Sequence, residues 1–129
     1  MRHDLVKTFY FAKKMSAKDE NYEVVSKYVE PLIKVVACEM PINDYISINT
    51  YGTSITRMRR LIDDVGQMRE LSDDAEYGVW TDYPTEAENV ILNGKDAIAY
   101  NSPTYLLDTP IVKIGNVCKC DIRRVLVDD

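Results

Sequence analysis

The chain has 129 residues, of which 46% are hydrophobic and 29% charged, with a net charge of −5. Such a composition belongs to one globular domain and excludes disorder, collagen and coiled coil as descriptions of the whole chain. At this length about two-thirds of the surface exposed by the unfolded chain is buried on folding, enough for a core without metal or disulfides. The longest apolar stretch, residues 32–40, is broken by Lys34 and Glu39 and is far short of the ~20 residues a membrane span requires. Residues 1–14 lack the shape of an export signal, so the expectation is a soluble, unexported protein with no membrane partner.

Taken in chain order, residues 5–15 are rich in β-branched and aromatic side chains and predict a first strand. Residues 16–21 are polar and turn-like. Residues 22–28 suit either a short helical stripe or a strand, and Pro31 forbids a helix running across it. Residues 32–40, bounded by Pro31 and Pro41 and apolar on nearly every position, predict a central strand. Residues 44–51 alternate, with Ile46 and Ile48 on one side, and predict a half-buried strand ending at Gly52. In residues 53–64, Ile55, Met58, Leu61 and Ile62 recur at three- and four-residue steps, which predicts a short helix turning at Asp63-Asp64 or Gly66. Residues 76–81 predict a strand carrying the single tryptophan. Asn93-Gly94 is a hairpin signal, followed by a short strand over residues 97–100 and a turn at 101–103. Two last strands, residues 109–114 and 117–126, meet at Gly115-Asn116, with Cys118, Cys120, Ile122 and Leu126 on one face. Six or seven short strands at this spacing predict a mainly β fold: a small single-domain barrel or sandwich with long loops and one short helix.

Charge is unevenly spread. Between Glu70 and Asp96 eight carboxylates face Lys95 as the lone basic residue. A solvated loop accounts for such a run, and an acidic functional face is the alternative. The overall acidity argues against a protein that coats nucleic acid, which needs clustered Lys and Arg. Cys38, Cys118 and Cys120 have neither the number nor the spacing of a disulfide scaffold or a zinc site, and buried free thiols are expected.

A search for catalytic chemistry returns little. The chain contains no phosphate-binding glycine loop, no HExxH and no GxSxG. Its one histidine, His3, lies close to the chain start, and a hydrolytic Ser or Cys lacks a base partner. The expectation is therefore a protein that is not an enzyme and uses no cofactor. Asp63-Asp64 and Asp73-Asp74 are the residues a carboxylate-based hydrolase or metal-dependent nuclease would use. Arg57, Arg59 and Arg60 form the basic counterpart. On a helix Arg57 and Arg60 would pair with Asp63 or Asp64; otherwise the three offer contact to an acidic partner or to phosphate.

Several segments in order carry a resemblance: Pro31-Leu-Ile-Lys-Val-Val-Ala, then Ile46-Ser-Ile-Asn-Thr-Tyr-Gly52, then Ile55-Thr-Arg-Met-Arg-Arg-Leu-Ile-Asp-Asp64. Gly78-Val-Trp-Thr-Asp82 follows, and finally Ile111-Val-Lys-Ile-Gly-Asn-Val-Cys-Lys-Cys-Asp-Ile-Arg-Arg-Val125. Together they resemble the small head-completion proteins, also called head–tail connector or head-closure (stopper-type) proteins, of long-tailed bacteriophages. The likeness is one of residue classes over most of residues 5–126, and this chain departs from it by an acidic insertion over residues 81–96.

The resemblance implies a structural protein of the virion neck, made in the host bacterial cytoplasm and located at the head–tail interface. It implies a ring homo-oligomer, expected as a dodecamer, docked under a portal or adaptor protein and offering a surface to a tail-terminator or tail-completion protein. Double-stranded DNA would pass through without sequence-specific binding. Under that reading the carboxylates from Glu70 to Asp96, among them Asp73, Asp74, Glu76, Glu86 and Glu88, line the passage, where like charge repels phosphate, and Arg57, Arg59 and Arg60 bridge to acidic groups on a neighbouring subunit or the portal. The competing expectation is a small phage-encoded regulator or inhibitor whose acidic face imitates nucleic acid on a host protein.

Overall fold

The computed structural model describes residues 6–42, 57–72 and 75–125, together with residues 49 and 52. Nine strands account for most of them: β1 (Val6–Lys18), β2 (Val24–Pro41), β3 (Met58–Asp63), β4 (Tyr77–Trp80), β5 (Ala87–Leu92), β6 (Lys95–Tyr100), β7 (Tyr105–Leu107), β8 (Val112–Ile114) and β9 (Val117–Arg124). The fold is mainly β, as its turn spacing predicts. Strand number exceeds the expected six or seven, because β5 and β7 lie in segments that read as loop.

Every pairing is antiparallel. Following them from β1 through β4, β7, β9, β3 and β2 leads back to β1, a closed circuit of six strands. Closure removes the open edges that an isolated sheet would present. β2 makes it possible by its length. It pairs with β1 along most of its course, with β3 over Cys38–Pro41 and with β6 at Tyr28 and Val29, so its central place matches the sequence reading.

Pro31 does not end a strand as its sequence position suggests. It sits in a bulge, where Glu30, Pro31 and Leu32 lie opposite the single residue Ala12. A bulge tolerates proline because its N–H is not needed for the ladder there, and it bends the strand.

The expected helix over residues 53–64 is corrected. Residues 58–63 are β3, in register with β2 and β9, while residues 53–56 lie outside the described residues, as does most of the expected strand at residues 44–51. Two flanking ladders outweigh a three-to-four spacing of apolar side chains, since β3 is paired to β9 along its whole length and to β2 over Arg59–Ile62. A short helical element does follow β3, the 3-10 turn Gln67–Glu70. It is pinned to β2 by the Val36 amide, which donates to Gln67 Oε1 at 2.6 Å.

Alternate residues on each strand of the circuit point inward and form the main core: Phe9 and Phe11, Val35 and Ala37, Leu61, Val79, then Cys118, Cys120 and Ile122. Each of these is buried. The three cysteines are buried and form no disulfide with one another, as expected. Burial pushes the Cys120 thiol up to about 12, with the Asp121 charge adding to it. A second, smaller cluster of Ala17, Val29, Leu92 and Ala99 holds the β5–β6 hairpin against the ends of β1 and β2. This hairpin forms an arm beside the circuit. Its turn is the predicted Asn93-Gly94, with positive φ at both residues (52° and 78°), the backbone that a two-residue antiparallel turn requires.

Candidate functional site

Consecutive strand residues point to opposite faces, and this decides where the arginines go. Arg59 shares the inward face with Leu61, at one mouth of the circuit. Its Nε lies 3.7 Å from Glu39, whose carboxylate also binds Lys7. The side-chain hydrogen bond to Glu39, backed by the Glu39 charge, raises the Lys7 ammonium above its usual range. Arg60 points outward and grips Asp121 with two bonds, Nε to Oδ1 at 2.8 Å and Nη2 to Oδ2 at 3.1 Å. Asp121 is in turn fixed by its own amide, which donates to Thr109 Oγ1. The expected helical pairing with Asp63 or Asp64 is therefore replaced by pairing across strands. Arg57 is half-buried just before β3.

Asp63 has a different task. It is 0% exposed, and its carboxylate accepts the amides of Val65 (3.1 Å), Gly66 (2.9 Å) and Met68 (2.7 Å). Three donors compensate the burial of a charge and shape the chain into the 3-10 turn. A carboxylate so engaged is a structural staple of that turn. Asp64 beside it is exposed, and Asp73 and Asp74 lie outside the described residues. Among the described residues there is no group of three or more His, Cys, Asp or Glu side chains placed to hold a metal ion.

Two carboxylates of the acidic stretch pair with lysines of other strands. Glu76 pairs with Lys14 of β1 and Glu88 with Lys27 of β2, each at 3.4 Å. Glu86 and Glu88 come together at the base of the arm. There a groove of about 430 Å³ is lined by Thr85, Glu86, Ala87, Glu88, Tyr100 and Asn101. A neighbouring groove of about 300 Å³ shares Glu88 and Tyr100 and adds Lys27, Tyr28 and Pro103.

Under these grooves lies an aromatic cluster that the sequence did not single out. Trp80 meets Tyr28 edge to face at 5.7 Å and Tyr100 at 6.0 Å. Burial raises both phenols above their usual range. Trp80 is 3% exposed, and its buried Nε1 has no hydrogen-bond acceptor. Gly78 lets this cluster close, since a Cβ there would stand 3.0 Å from the Tyr28 ring and 3.1 Å from Pro103. The Tyr28↔Tyr100 pairing joins distant segments, so only the single tryptophan stood out in the sequence.

No family model, curated protein or solved structure matches the chain. Among the described residues no helix is long and apolar enough to cross a membrane.

Proposed function

We propose that this chain is a virion assembly protein of the neck of a long-tailed bacteriophage, acting through protein–protein contacts. In this reading copies form a ring beneath the portal or an adaptor, complete the DNA-filled head and present the surface to which the tail attaches. The observation that carries it is the order of residue classes from Pro31 to Val125. The described segments that carry it fall on one hydrogen-bonded sheet, with β2, β3, β9 and β8 as direct neighbours and β4 joined to them through β1 and β7. A closed circuit bearing a lateral arm and an outward hairpin is also a suitable shape for a part that meets several neighbours. The exposed carboxylates Glu70, Asp82 and Glu86 are assigned to the DNA passage, where like charge keeps phosphate from sticking.

The test is the amount of this chain in purified particles of the source virus, measured by quantitative mass spectrometry in filled heads, free tails and lysate. A low, fixed copy number in filled heads but not in free tails is the expected result. Absence from every particle would overturn the reading and favour a host-directed binder, to be sought by pull-down from lysate.

A further inference from the structure

Among the described residues, β5 and β8 are the two strands with a single paired neighbour each, and each belongs to a hairpin with one half-apolar face turned to solvent. On the arm, residues directly opposite one another point the same way: Ile91 with Asp96, and Asn89 with Ile98. The opposite face carries Val90, Leu92, Ala97 and Ala99 into the small core. The first face is left open, with Ile91 40% and Ile98 36% exposed and Asp96 at its rim. On the β8–β9 hairpin, Val112 stands opposite Lys119 and Ile114 opposite Val117. Cys118 faces the core. The outward side therefore carries Val112, Ile114 and Val117, exposed by 43%, 66% and 39%, with Lys119 at its rim.

These two faces match in kind and oppose in charge. Each is a small aliphatic patch on a two-stranded ribbon with one exposed charged group beside it, acidic on the arm and basic on the hairpin. Arm against arm would bring Asp96 towards Asp96, and hairpin against hairpin Lys119 towards Lys119. Only arm against hairpin covers apolar surface while pairing unlike charges. Single exposed aliphatic residues are ordinary on a protein surface, but clustered ones on a sheet ribbon tend to find cover.

We propose that the open face of the β5–β6 arm packs on the outward face of the β8–β9 hairpin of a second copy of this chain. The two surfaces differ, so each copy uses its arm on one neighbour and its hairpin on another. The contact is head to tail, the kind that generates rings when the rotation closes. The inference deepens the assembly reading, because it names the contact through which its copies join.

Sedimentation velocity on the purified chain and two charge reversals, Asp96→Lys and Lys119→Asp, tests it. The wild-type protein is expected to form oligomers that grow with concentration and shrink with added salt. Each reversal alone weakens association about tenfold, the result of replacing attraction by repulsion at the rim. An equimolar mixture of the two restores it, because alternating copies then have unlike charges at every contact. A wild-type chain that stays monomeric at millimolar concentration in low salt overturns the proposal. So do oligomers indifferent to both reversals, or a mixture that fails to recover. Oligomers behaving as expected from a chain absent from particles would keep this contact and remove the neck assignment; a monomer abundant in filled heads would do the reverse.

Discussion

The closed circuit and the β5–β6 arm both rest on the two long strands β1 and β2, yet they are held by different means. In the circuit each strand has partners on both sides, and the interior is filled by large side chains such as Phe9, Phe11, Leu61, Met68 and Ile122, all fully buried. The arm is tied to the rest through two paired positions, Tyr28↔Tyr100 and Val29↔Ala99, two hydrogen bonds between Asn93 and Lys18 of β1, the exposed Glu88–Lys27 pair, the Trp80–Tyr100 ring contact, and a cluster in which two of four buried members are alanine. Burial of apolar area sets the scale of stability. The circuit therefore holds the fold, and the arm is the part able to open or shift while the rest stays intact. That division places the acidic grooves and the open Ile91–Ile98 face on the adaptable portion.

The difference can be broken first from the side of the circuit. Phe11→Ala removes a fully buried ring that meets Tyr77 edge to face at 6.2 Å, and it should cost about 4 kcal/mol. Denaturant unfolding should show one transition moved to lower denaturant with its slope kept. A loss near zero would mean that the interior is not closely packed. Asp63→Ala comes next. It strips three amide donors of their acceptor in a buried turn, for a loss of about 3 kcal/mol, and a near-neutral effect would show the turn holding without its staple.

From the side of the arm, Leu92→Ala should cost about 2 kcal/mol, most of it as local opening. Hydrogen exchange should accelerate in β5 and β6 while amides of β3 and β9 keep their protection. Uniform acceleration would show arm and circuit to be one cooperative unit. The smallest effect at neutral pH belongs to Cys120. Its thiol titrates near 9.0 when exposed and at about 12 when folded. The unfolded chain releases that proton first, so stability is fully present below pH 9 and declines as pH climbs towards 12. The folded protein at pH 8 should resist alkylation at Cys120, and rapid modification there would contradict its burial.

What the sequence revealed divides along similar lines. The strand at residues 32–40 and the turns at Asn93-Gly94 and Gly115-Asn116 were legible because β-branched residues and positive-φ turn residues act locally. β3 was misread because an inward-pointing aspartate, Asp63, interrupts the apolar alternation of its strand and leaves Met58, Leu61 and Ile62 in a helical rhythm. β5 and β7 were missed because their own residues are weak strand formers or few, and pairing with β6, β4 and β9 supplies what they lack. The arginines were visible as a group, but their partners Glu39 and Asp121 lie on other strands, a matter of register that no local pattern encodes. The aromatic cluster under the grooves was hidden for the same reason.

Native-state hydrogen exchange of the wild-type chain, read amide by amide, tests the division between circuit and arm most directly. The account predicts that the β5 and β6 amides exchange through an opening of lower free energy than those of β3 and β9, and that this opening depends less on denaturant. Equal protection and equal denaturant dependence throughout all nine strands would contradict it.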